Sequence, residues 1–121
     1  MKYMLLIYGN AELWASFAPE DLSKVIQETD ALHTELRASG EFVGAYGLAD
    51  QEMAKLVRRA DDGLPAVTDG PYIEAKEYIG SFDIIDVDSL ERALEIAARV
   101  PFARFGQVEV RPLMHEAPDN A

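Results

Sequence analysis

Hydrophobic and polar positions follow distinct local periods along this chain. Lys2 to Tyr8 is a nearly unbroken apolar run with aromatic and β-branched members, which predicts a central strand buried on both faces. The mixed segment around Trp14 and Phe17 reads as a loop or short helical turn covering an edge of the core. Pro19-Glu20-Asp21 opens a long helix, since proline suits the first helical position and acids complement the helix dipole there. Ala18 before it is a poor N-cap. Leu22, Val25, Ile26, Thr29, Leu32 and Leu36 recur at three- and four-residue spacing as one stripe, with Glu28, Asp30, Glu35 and Arg37 off it. Gly40 ends the helix.

Phe42 to Leu48 predicts a second strand, bent or bulged at Gly44 and Gly47. Met53 to Ala60 alternates as a strand with one wet face. Asp61-Asp62-Gly63 is a hairpin turn signal that returns the chain through Leu64 to Thr68. Asp69-Gly70-Pro71 breaks the pattern, and Tyr72 to Glu77 is ambiguous between helical turn and loop. Tyr78 to Val87 is the next strand. Asp88 with Glu91 matches a capping box, and Leu90, Ala93, Leu94 and Ala97 line one face of a second helix that stops at Pro101. Gln107 to Leu113 closes as a strand with Val108 and Val110 inward and Glu109 and Arg111 outward.

The order β, α, β, hairpin, β, α, β predicts an α+β, ferredoxin-like (split βαβ) antiparallel sheet with two helices on one face plus an inserted β-hairpin. Residues 1–114 form the single domain, and 115–121 a short polar tail. A sheet covered on one side invites a partner surface. The expectation is a homodimer, packed sheet to sheet around a polar cavity as a dimeric α/β barrel; the alternative is a monomer with a polar outer sheet face.

Charge narrows the classes of partner. Eleven Lys+Arg against 22 Asp+Glu give −11 over 121 residues, which speaks against nucleic acid and anionic membrane surfaces. The chain has no cysteine, so no disulfide, thiolate-held metal or thiol nucleophile is available. Its apolar runs are far shorter than the roughly 20 residues of a membrane span. The opening run lacks a small-residue cleavage site, and the expected location is cytoplasmic.

Candidate chemistry concentrates in Asp69 to Phe82. A loop there could present Asp69, Glu74 and Glu77 with Lys76 to a bound small molecule, one carboxylate as acid or base and the ammonium stabilising an oxyanion. The plainer alternative has Asp69 capping a turn, Gly70 and Pro71 shaping the corner, and Glu74 and Lys76 solvated. His33 lies near the apolar stripe of the first helix, either a base oriented by a carboxylate or an amphipathic filler. Asp83 shares a strand face with Ile79, Ile85 and Val87, beside Ser81, and so lies either at the solvent edge or in a polar cavity. Arg111 is an anion-binding candidate or the partner of a nearby carboxylate. His33 and His115 are far apart in sequence, so no metal site is expected, and the absence of glycine-rich phosphate or dinucleotide fingerprints points to no cofactor.

The run Asp69-Gly70-Pro71-Tyr72-Ile73-Glu74-Ala75-Lys76-Glu77 resembles the hallmark of the YCII-related superfamily in its DGPF branch, commonly D-G-P-F-x-E-x-K-E. Met1 to Tyr8, Pro19-Glu20, Gly80-Ser81-Phe82, Ile85-Asp86-Val87, Ala97 to Pro101 and Gly106 to Leu113 are similar to further stretches of that family, so the resemblance spans nearly the whole chain. It implies a bacterial ferredoxin-like domain paired as a dimeric α/β barrel. It also implies either of two roles. One is regulatory, near extracytoplasmic-function sigma factors, beside or fused to which some relatives occur. The other is enzymatic, read for the wider superfamily from a histidine–aspartate pair; one relative is a dechlorinating enzyme acting on a chlorinated hydroxyquinol. Tyr72 stands for the motif's phenylalanine, Ala18 for a frequent serine cap, Phe105 for a frequent histidine and Asp83 for a usual aromatic; His33 is on the corresponding helix without a clear register match. The expected site residues are Asp69 or Glu77 as acid/base, Lys76 and Arg111 as stabilisers and His33 as a further base. Gly70, Pro71, Tyr72, Glu74 and Asp83 border the ligand.

Overall fold

In the computed structural model, which describes residues 1–70 and 77–118, the apolar opening run is β1 (Lys2–Gly9). A short helix α1 (Ala11–Ala15) follows, then the long helix α2 (Pro19–Ser39) and strand β2 (Phe42–Gly47). Past a 3-10 turn at Gln51–Met53, β3 (Lys55–Arg59) and β4 (Pro65–Asp69) form the hairpin. Strand β5 (Tyr78–Asp86), helix α3 (Leu90–Arg99), a 3-10 turn at Pro101–Arg104 and β6 (Val108–Pro112) complete the chain. The main sheet has the order β2-β5-β1-β6 with every neighbouring pair antiparallel, and β3-β4 is a separate two-stranded sheet. This is the expected α+β, ferredoxin-like arrangement with an inserted hairpin.

Register decides what lies under the helices. Leu5 pairs with Asp83 on one side and Val110 on the other, and Asp83 pairs onward with Ala45. Side chains alternate faces along a strand, so Asp83 shares the face of Tyr3, Leu5, Ile7 and Ile85. That face packs with Leu32 and Leu36 of α2, Ala93, Ile96 and Ala97 of α3, and Val100 into one core. Leu5, Ile85 and Ile96 are fully buried. On the opposite face of β1 only Leu6 is buried, and Met4 and Tyr8 are half-buried, so the expected burial on both faces holds at Leu6 alone. Among the described residues no helix is long and apolar enough to cross a membrane.

Local signals operate as the sequence predicts at both ends of α2. Pro19 occupies the first turn, and Ala18 makes no side-chain cap bond. Gly40 adopts φ 81°, a left-handed conformation that glycine reaches without a Cβ penalty, while the Glu41 N–H donates to the Leu36 carbonyl. The Phe42–Gly44 register shift in β2 is the expected bulge.

Four expectations need correction. The cap of α3 is Ser89, whose hydroxyl accepts from the Arg92 N–H at 3.1 Å, not Asp88, because the chain is still extended at Ser89 and the helix begins one residue later than read. The buried face of α3 is Ala93, Ile96 and Ala97, with Leu90 and Leu94 half exposed, so the helix is rotated relative to the predicted stripe. On α2, Leu22 and Ile26 are likewise exposed, while Val25 between them is buried, so the buried face of this helix is narrower than the predicted stripe. The sequence predicts one wet face on the hairpin. Instead both faces are open: Leu56 is the one residue of β3 and β4 that is half-buried, and the rest are exposed.

Candidate functional site

The helix-covered face carries one buried polar side chain among the described residues, Asp83. It lies within strand β5, where the strand period forces it inward beside Leu5. Opposite it, α2 presents His33, next to Leu32 and one turn before Leu36 and Arg37. His33 Nε2 is 3.6 Å from Asp83 Oδ2, and the side chains are 13% and 10% exposed. That separation brings the two groups into electrostatic contact without a formed hydrogen bond. Nε2 is buried and has no hydrogen-bond partner among the described residues.

Burial pushes the Asp83 carboxyl above its usual range, and the facing His33 partly counters this by favouring the charged form. A buried carboxyl facing an imidazole nitrogen that has no hydrogen-bond partner is an arrangement that clusters at functional sites. The His33 ring is positioned by Phe42, whose centroid is 4.9 Å away, and Phe42 in turn lies under the Arg37 guanidinium at 4.6 Å.

These groups line a cleft of about 470 Å³ between α2, the edge strand β2 and the 3-10 turn at Pro101–Arg104. Thr29, Ser81 and Phe102 contribute further walls. The cleft is on the helix side of the sheet and is formed within one chain. It is therefore separate from the open face, where the sequence predicts that pairing of two sheets encloses a cavity. Its contents suit general acid/base chemistry: an imidazole, a carboxyl facing it, and an apolar wall that lowers the local dielectric. Among the described residues no three His, Asp or Glu side chains converge as a metal ion would require.

Of the residues expected from sequence, the structure brings His33 and Asp83 together. Asp69 is elsewhere, exposed at the end of β4 and ion-paired with Lys55 across the hairpin. The Gly70 N–H donates to the Ala54 carbonyl at 2.8 Å, closing that same corner. Glu77 is exposed and accepts from Asn10 Nδ2 at 3.0 Å. Arg111 points to the open side and pairs with Glu109, which also accepts from the Tyr8 hydroxyl; that hydroxyl bond, with Arg111 adding to it, holds the Glu109 carboxyl below its usual range. Pro71, Tyr72, Glu74 and Lys76 lie outside the described residues. Arg37 and Phe42 are functional candidates that sequence reasoning missed. The available signal was the four-residue step from His33 to Arg37, which places both on one helix face.

A family model for the YCII-related domain matches residues 1–117. The chain is also 30% identical over 115 residues to an uncharacterized protein of Rhizobium meliloti (strain 1021), covering 93% of this chain and 92% of the relative.

Proposed function

The chain belongs to the YCII-related family, and from that premise we propose that it is an acid/base enzyme acting on a small molecule in the cleft between α2 and the sheet. The observation that carries this reading is the facing of His33 and Asp83 at 3.6 Å, both largely buried, with Nε2 unsatisfied. His33 is the general base. It takes a proton from the substrate at Nδ1, since Nε2 is buried and faces Asp83, and the Asp83 carboxylate stabilises the imidazolium that forms, as a buried carboxylate does beside a histidine base. Loss of that proton with departure of a leaving group from the adjacent atom is an elimination. The C–H electron pair becomes the new double bond, the leaving group departs with its own bonding pair, and the imidazolium returns the proton to it or to water. Lyase chemistry of this kind needs no redox partner.

The test is proton exchange. A panel of small carbonyl compounds with acidic C–H bonds is incubated with the protein in D2O, and deuterium incorporation is followed by NMR. Exchange above buffer that falls at least about 100-fold in both His33→Gln and Asp83→Asn supports the reading. Equal exchange in wild type and variants, or none beyond buffer across the panel, contradicts it.

We further propose that two copies associate through the sheet face opposite the helices. Met4, Phe82 and Ile84 sit there in register without a helix over them, and Tyr46, paired with Phe82, is 56% exposed. Light scattering should give twice the chain mass for wild type and the single mass for Ile84→Glu. A wild-type monomer at micromolar concentration rules this association out.

A further inference from the structure

We infer that Arg37 is the anchor for a carboxylate on the substrate, so that the cleft takes a planar, carboxylate-bearing small molecule with its reacting end at His33. This rests on the reading of the cleft as a proton-transfer site and adds to it the class of ligand. The argument begins with charge. The chain carries 22 acids against 11 bases, and Arg92, Arg99, Arg104 and Arg111 each hold a carboxylate. Arg37, in the same acidic surroundings, makes no ion pair among the described residues; Arg58 and Arg59 of the exposed hairpin make none either, but Arg37 borders the cleft. It lies instead over the Phe42 ring, with the guanidinium carbon 4.6 Å from the centroid.

Stacking of this kind fixes the guanidinium by its face. Its N–H donors lie in its plane and remain available, in the fork that matches a carboxylate. Arg37 and His33 are four residues apart on α2, hence neighbours on one helix face, and both line the cleft. Phe42 touches both, at 4.6 Å and 4.9 Å, and so sets their spacing. A molecule held by Arg37 at the mouth extends along Phe42 toward His33, with Phe102 as a second aromatic wall. The single guanidinium at the mouth matches the one charge of a monoanion; a phosphate dianion would bring a second, uncompensated charge into a cleft that already holds Asp83. The carboxylate is therefore the better match.

The probe is benzoate, with benzamide as its uncharged counterpart and inorganic phosphate as the dianion, at constant ionic strength. The readout is the imidazole Cε1–H signal of His33. His115, the second histidine of the chain and exposed near its end, serves as the internal reference. Benzoate should shift His33 saturably and leave His115 in place, with benzamide and phosphate at least ten-fold weaker. Arg37→Gln should weaken benzoate at least ten-fold without changing benzamide. Arg37→Lys, which keeps the charge and loses the fork, should fall between. Unchanged unfolding curves for both variants separate binding from folding. Equal response to benzoate and benzamide, or no effect of Arg37→Gln, overturns the carboxylate assignment while leaving the proton-transfer site intact. Tighter binding of phosphate overturns the choice of a monoanion. No response to any probe removes the inference and the ligand-binding cleft together. Arg37-dependent benzoate binding without proton exchange keeps the anchor and removes the chemistry.

Discussion

Asp83 meets His33 across the seam between β5 and α2, 3.6 Å from carboxylate oxygen to ring nitrogen, on the face of the sheet that otherwise holds its hydrophobic core. A carboxyl in that position costs stability when ionised, because burial disfavours its charge more than His33 compensates. The folded-state pKa is raised, so the folded chain holds this proton more tightly than the unfolded one. Stability from that proton is present below the ordinary value of 3.8 and is lost as pH rises through the raised value. Asp83→Asn should therefore gain on wild type in urea unfolding as pH is taken from 3 to 7, while losing proton-exchange activity. A wild type that gains on the variant over the same range would mean that the ion pair outweighs burial.

The opposite sign holds at Glu41. Arg92 donates to it twice, from Nε and Nη2, each at 2.8 Å, and Ser39 donates a third hydrogen bond. These hydrogen bonds, those of Arg92 first, hold the Glu41 carboxyl down at about 2 against an ordinary 4.5. The associated stability is full above 4.5 and disappears as pH falls through about 2. Thermal unfolding of wild type and Glu41→Gln should differ most near neutrality and converge toward pH 2. A gap independent of pH would place the effect in packing.

Trp14 closes one edge of the core against bare backbone. A Cβ on Gly9 would come within 2.1 Å of its indole ring, and one on Gly80 within 2.9 Å. The ring also meets Phe102 edge-on at 5.5 Å between centroids. Gly9→Ala must push the indole outward, at a cost of about 1–3 kcal/mol by analogy with overpacked cores. Since the chain has one tryptophan, its emission should shift to the red; unchanged emission would mean that the contact is not kept in solution.

The rotation of α3 makes a paired prediction. Ile96 is fully buried and Leu94 is 50% exposed. Ile96→Ala should destabilise by about 2–5 kcal/mol in denaturant unfolding, through lost burial and the remaining cavity. Leu94→Ala should stay within about 0.5 kcal/mol, as surface changes do. The reverse order would restore the face read from the sequence.

The cap of the same helix separates two neighbouring residues. Ser89→Ala removes the acceptor for the Arg92 N–H and should cost about 1 kcal/mol, whereas Asp88→Ala leaves that bond in place and should change stability by less than half as much. Equal losses would show that both residues serve the helix start.

The sequence alone determined the order of elements, because the signals for it are local. Pro19 and Gly40 bound α2, Gly63 turns the hairpin, and the runs at Lys2 and Tyr78, rich in aromatic and β-branched residues, mark strands. It also determined two chemical candidates, His33 and Asp83, but not that they face each other. That pairing depends on the rotation of α2 about its axis and on the register of β5 against β1. A slip of one residue in that register would carry Asp83 to the open face. Arg37 is off the apolar stripe of its own helix and acquires a place only when the Phe42 ring arrives beneath it from β2. Local periodicity fixes which elements form. Contacts between elements are set by how the whole set of apolar faces packs at once, and the cleft exists only at that level.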